Sequence, residues 1–139
     1  QQYLAYVTYE FIKDDLRDYH FYWAPVLLYN NFWRLSLPIR VQSILSSVIR
    51  LSLLPQRDDL IQISTYSTNL WLLKQVNFWD TDIIPEDWHI WLQAFFKFGT
   101  KVRTVPIYIP TSADPVLAEG YLNTFKNRYE QERYSLHYC

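Results

Sequence analysis

A mainly α fold is what this sequence predicts, with about four helices joined by proline-bearing connectors. Three observations carry it. Leu37 to Pro55 (LPIRVQSILSSVIRLSLLP) places apolar residues at helical spacing between two prolines. After Asp114-Pro115 the pattern returns, with Leu117, Tyr121, Leu122, Phe125 and Tyr129 on one side and Lys126, Arg128, Glu130, Glu132 and Arg133 mostly on the other. Only two glycines, Gly99 and Gly120, occur in 139 residues, too few for a turn-rich all-β chain. Periodicity leaves open whether the helices form a compact bundle or an extended arrangement supported by partners.

The elements follow in chain order. Tyr3 to Tyr9 fits a short strand or the start of a helix, and Lys13 to Asp18 is a polar break. Phe21 to Phe32 is apolar but interrupted by Pro25 and Asn30-Asn31, too short to span a bilayer, and reads as a docking segment. In the Leu37–Pro55 helix, Val41, Ile44, Leu45, Val48, Ile49 and Ser52 share helical spacing, and Ser43, Ser46 and Ser47 take much of the remaining surface. Arg40 and Arg50 interrupt its apolar surface, about 15 Å apart along the axis. Leu60 to Trp79 reads as helix, although Ile63 to Tyr66 leans toward strand. Pro85-Glu86-Asp87 opens a helix with Trp88, Trp91, Leu92, Phe95 and Phe96 as an aromatic stripe, and Gly99 closes it. Thr104 to Pro110 is extended, because two nearby prolines leave no room for a helix.

The length suits one domain, 1–139, burying roughly two-thirds of the unfolded chain's surface. Within it, 1–36 is an N-terminal docking segment, 37–99 the central helices, 100–114 an extended connector and 115–133 the C-terminal helix. Composition points to contact rather than chemistry. Twelve Tyr, 8 Phe and 6 Trp exceed what a small core holds with every phenol and indole satisfied, and such rings favour protein interfaces and membrane boundaries. Trp23, Trp33, Trp88, Trp91 and Phe95 are the docking aromatics this implies. Arg40 and Arg50 are candidates to meet lipid headgroups or partner carboxylates.

Mixed charges with a net of −1 disfavour nucleic acid as a partner. Cys139 is the one cysteine, so neither a disulfide framework nor a Cys-based zinc site is available within the chain. No methionine occurs, even at the first residue, which fits trimming or, preferably, removal of a targeting peptide. The two glycines exclude a P-loop, a dinucleotide fingerprint and a nucleophile elbow. His20, His89 and His137 lack a second His at helix-face spacing. A partly buried helical histidine accounts for His89, and a solvated acidic turn with Asp14, Asp15 and Asp18 accounts for His20. No catalytic residue, metal or cofactor is assigned, and the chain reads as a non-enzyme.

One resemblance adds to this. Lys13-Asp14-Asp15-Leu16, then Arg40, then the helix into Leu53-Leu54-Pro55, with Leu72-Leu73-Lys74-Gln75-Val76 further on, resembles the small helical matrix-side subunit of the mitochondrial cytochrome bc1 complex, often called the 14 kDa subunit. The likeness covers residues 11–76. Asp58-Asp59 stands where the family has tryptophan, and nothing beyond Val76 has a counterpart. The resemblance implies a structural role, bracing membrane and core subunits without a redox centre. The expectation is thus a non-catalytic accessory subunit of a respiratory-chain complex at the mitochondrial inner membrane, on the matrix side, contacting other subunits and phospholipid. The alternatives are an accessory subunit of the ATP synthase and a soluble helical binding domain for an apolar ligand or peptide.

Overall fold

The structure, a computed structural model, describes residues 2–56, 60–62, 64–80, 82–83 and 85–115, together with Lys126 and Tyr129. It corrects the fold class. Among the described residues, four helices, α1 (Gln2–Lys13), α2 (Leu37–Leu53), α3 (Leu70–Gln75) and α4 (Glu86–Phe98), accompany five strands, so the architecture is mixed α/β. The strands are β1 (His20–Trp23), β2 (Val26–Leu28), β3 (Tyr66–Thr68), β4 (Arg103–Pro106) and β5 (Thr111–Ala113). Strands β1, β2 and β3 fall within residues 11–76, so the helical fold implied there by the resemblance is not the one found.

The organising element is β1, and its sequence explains why. His20-Phe21-Tyr22-Trp23 is buried on both faces, and aromatic side chains favour a pleated backbone with cover on each side. It is central in a sheet of order β3-β1-β4, antiparallel to β3 and parallel to β4. Beyond Ala24-Pro25 the same run becomes β2, which pairs in parallel with β5. The two long runs stay side by side between their ladders: the Ile107 amide donates to the Trp23 carbonyl at 2.7 Å and the Thr111 amide to the Pro25 carbonyl at 3.0 Å. Pro25, Pro106 and Pro110 have no N–H to give, and the ladder breaks around them. Within the expected 100–114 connector, Arg103–Pro106 and Thr111–Ala113 are extended and built into the sheets, while Gly99–Lys101 is a 3-10 turn.

Each face of β1 has its own core. On one, Phe21 packs with Leu72, Leu73 and Val76 of the α3 region, Ile90 and Ala94 of α4, and Val102. On the other, Tyr22, Ala24 and Ile107 meet Tyr3, Tyr6, Val7 and Phe11 of α1. The result is a helix–sheet–helix sandwich. The centre of the molecule thus lies within the expected N-terminal docking segment, at His20 to Pro25. Many of the aromatic rings contact one another, in the Phe21–Tyr66 pair, the Trp91–Phe95 stack and the Tyr19–Trp71–Phe98 cluster.

Between Leu60 and Trp79 the single expected helix is replaced by β3 and the six-residue α3. The strand begins at Tyr66, the last residue of the stretch that leaned toward strand, and runs on to Thr68. Asn69 starts α3 by accepting from the Trp71 amide at 2.8 Å. Buried Gln62 ties the preceding loop down, donating to the Asp87 carbonyl and accepting from the Thr104 hydroxyl. Helix α4 follows Pro85 and ends at Gly99, whose φ of 65° and ψ of −143° suit glycine alone. Of the expected C-terminal helix over 115–133, the described residues are Pro115, which is buried and not helical, and Lys126 and Tyr129, which are helical and exposed; the rest lies outside the described residues.

Candidate docking surface

Helix α2 sits in the fold with its polar side inward. Pro38 near its first turn and Pro55 beyond its end frame it. Its buried residues are Ile39, Ser43 and Ser47. Val41, Ile44, Leu45, Val48 and Ile49 are all exposed, Val48 to 54%. An amphipathic helix ordinarily turns its apolar stripe to the core, and here it does not.

The reason lies in β2. Pairing with β5 uses one edge of that strand, and the other edge presents backbone groups that need partners once covered. Helix α2 supplies them. The Ser47 hydroxyl, fully buried, accepts from the Leu28 amide at 3.2 Å and donates to the Ser43 carbonyl at 2.8 Å. Arg50 donates from Nη1 to the Val26 carbonyl at 3.1 Å. One polar helix face thus stands in for a neighbouring strand, with small serines allowing close approach. Apart from Ile39, buried near the first turn, the apolar stripe of Val41, Ile44, Leu45, Val48 and Ile49 is left on the outside.

Arg40 is engaged in the same way. Its Nε donates to the Leu35 carbonyl at 2.9 Å and its Nη2 to the Trp33 carbonyl at 2.8 Å. Its guanidinium lies 5.8 Å from the Phe32 ring centre and 5.5 Å from that of Trp33, a cation–π arrangement. Both arginines therefore donate to the chain's own backbone carbonyls. Trp33, 81% exposed, projects just ahead of α2.

The other expected docking aromatics divide. Trp23 is fully buried in β1 and offers nothing to a partner, which corrects its assignment. Trp91 is half-buried against the Phe21 core and stacks on Phe95 at 5.2 Å and 8°. Trp88 is exposed and, with Leu92 and Phe96, forms a second outward stripe along α4. Phe96, missed among the candidates, is 82% exposed. Its i+8 spacing from Trp88 is the signal that could have found it.

His20 is also corrected. It is only 7% exposed, not part of a solvated turn. Its Nδ1 lies 2.6 Å from Asp14 Oδ2, to which the Tyr22 hydroxyl also donates at 2.7 Å, and the Leu16 amide donates to Asp14 Oδ1 at 2.9 Å. Burial pushes the Asp14 carboxyl up, but the hydrogen bonds from Tyr22, His20 and Leu16 outweigh it and hold Asp14 below its ordinary value. Burial, then the Asp14 contact, drives the Tyr22 phenol well above the usual tyrosine range. Asp14 is thus an ionised latch fastening the end of α1 to β1. At α4, burial pushes the Asp87 carboxyl up, against the Ser64 amide that donates to it at 3.0 Å. His89 is half-buried on α4, while His137 and Cys139 lie outside the described residues. Among the described residues no group of three or more His, Cys, Asp or Glu side chains is placed to hold a metal ion, and no helix is long and apolar enough to cross a membrane.

Comparison with known proteins returned no matching family model, no matching curated protein and no matching solved structure.

Proposed function

We propose that this protein is a docking module whose outward α2 face packs against an apolar surface of another protein subunit in a larger assembly. The observation that carries the reading is the inverted placement of α2, with Ser43 and Ser47 buried and Val41, Ile44, Leu45, Val48 and Ile49 exposed. A contiguous apolar stripe without a partner marks an interaction site.

The partner's chemistry follows from what the stripe lacks. A helix that lies on lipid carries Lys and Arg along its polar side, free to reach headgroups. The charged residues of α2 are Arg40 and Arg50, and both donate to carbonyls of their own chain. The outer face is aliphatic and largely β-branched, so it loses little side-chain freedom on packing. Covering the five half-exposed side chains of one stripe recovers roughly 1 kcal/mol each. Pairing through α2 alone with a second copy covers two such stripes, about 10 kcal/mol against an association cost of about 4–15 kcal/mol. A partner subunit that also covers Trp33, 81% exposed, buries apolar surface that pairing through α2 alone leaves in water. Complexes of the mitochondrial inner membrane, the setting the sequence resemblance implies, are the first assemblies to test.

A photo-reactive amino acid at Leu45 or Val48, with Thr8 on α1 as an exposed control, tests the proposal in fractionated cell extract. The expected result is one defined protein adduct from each α2 position, lost on adding Ile49→Asp and absent from the Thr8 control. Adducts to lipid alone, or no adduct from α2, would overturn it.

A further inference from the structure

The outward face of α2 is wide. Leu37 and Leu51 join its apolar stripe at the two ends, and both are exposed. Ile49 and Leu51, two residues apart, lie about 160° from each other around the outer side of the helix at 3.6 residues per turn. They are 60% and 38% exposed, so apolar surface runs across the whole of that arc. Arg40 and Arg50 fall on the other side, and no charged side chain lies within the arc. Val41, Ile44, Leu45 and Val48 follow the i, i+3, i+4, i+7 spacing of a helix seated in a hydrophobic groove.

An arc of that width selects the shape of what covers it. A single facing helix meets only a narrow seam, and the α2 of a second copy, itself convex, does no better. A flat sheet touches the crest and leaves Ile49 and Leu51, on the two flanks, uncovered. Two helices packed about 8–10 Å apart leave a groove along their length that reaches both flanks of a third. Area agrees with a complete fit. The seven exposed aliphatic side chains of α2 and Trp33 are about half exposed on average, and at roughly 200 Å² per side chain they offer roughly 800 Å². One partner in a stable interface contributes about 800 Å². We propose that the partner subunit receives α2 in an apolar groove between two of its own helices, with Ile44 and Leu51 against one wall and Leu45 and Ile49 against the other. The inference rests on the docking reading and adds the partner's architecture to it.

The experiment places a photo-reactive amino acid singly at Ile44, Leu51, Leu45 and Ile49 of the full chain, and maps each adduct from fractionated cell extract by mass spectrometry. All four positions are exposed, so the substitutions keep the fold. Leu45 and Ile49 are about 6 Å apart along the axis, which is four residues of a helix but about two of a strand. The expected result is adducts on two separate segments of one partner protein, Ile44 and Leu51 labelling the first, Leu45 and Ile49 the second. Sites in the second segment should lie three or four residues apart, and those in the first about seven. Both flanks labelling one segment, or a spacing of two residues in the second, would overturn the groove and leave docking intact. Adducts to a second copy of this chain or to lipid, or no adduct, would overturn the docking reading and the groove with it.

Discussion

Replacing Ser47 by alanine removes the atom on which the placement of α2 depends most. The Leu28 amide, donating to Ser47 Oγ at 3.2 Å in a fully buried setting, would be left without an acceptor. A buried unsatisfied donor costs about 1–3 kcal/mol. Alanine returns about 0.5 kcal/mol through its better helix propensity, so the net loss should be about 0.5–2.5 kcal/mol. The Ser43 carbonyl loses only a supplementary donor. Ser52→Ala is the control, because the Ser52 hydroxyl bonds the Ile49 carbonyl on the exposed side and its loss should be neutral or slightly stabilising. Urea unfolding followed by tryptophan fluorescence reads both. An unchanged m-value would locate the effect in stability rather than in the compactness of either state. If Ser47→Ala lies within about 0.3 kcal/mol of Ser52→Ala, less than any buried orphan costs, the polar face of α2 is not what binds it to β2.

Other consequences follow from the same contacts. The folded value of Asp14 is depressed below 3.8, so its contribution is full above that pH and is lost as pH falls through the folded value. Asp87 is raised by burial, so it opposes folding while charged and recovers stability as pH falls through its higher value. Asp14→Asn should therefore flatten the acid limb of a stability–pH profile below about pH 4, and Asp87→Asn should steepen it; unchanged limbs would contradict both assignments. Gly99→Ala meets no steric neighbour, yet its φ of 65° with ψ near −143° should cost about 1–3 kcal/mol in thermal unfolding. Arg40→Ala removes two bonds to carbonyls and the cation–π contact with Trp33. It should blue- or red-shift Trp33 emission and lower stability by about 1–2 kcal/mol, whereas a charge merely reaching solvent would change neither.

The parts legible in the sequence are those with local causes. Pro38, Pro55, Pro85 and Gly99 frame α2 and α4 through their own backbone chemistry, and the structure has those helices. Strand β1 was hidden because His20-Phe21-Tyr22-Trp23 is covered on both faces and shows no alternation. Its partners β3 and β4 come from distant residues, and periodicity carries no information on such pairing. The prolines around β4 announced extension, but not that the extended run lies beside β1. The orientation of α2 was unreadable for a different reason: the need of β2's edge for a donor and an acceptor decides which face turns inward, and that need exists only once β2 is placed. Around His20 the sequence offers Asp14, Asp15 and Asp18 alike, and nothing local distinguishes them. Asp14 folds back onto the ring, while Asp18 is exposed and accepts from the Asn69 amide nitrogen.

The central claim is that α2 wears its apolar face outward and that a partner subunit covers it. Single cysteines at Val48 and at Ser43, in a chain with Cys139→Ser, measure this through their rates of reaction with a maleimide. In the isolated protein Val48→Cys should react at least about 100-fold faster than Ser43→Cys, which must await local opening. In native extract the Val48 thiol should become protected as the partner seats. A slow Val48 thiol beside a fast Ser43 thiol would show that α2 faces the other way, and a Val48 thiol as reactive in extract as in isolation would show that nothing docks there.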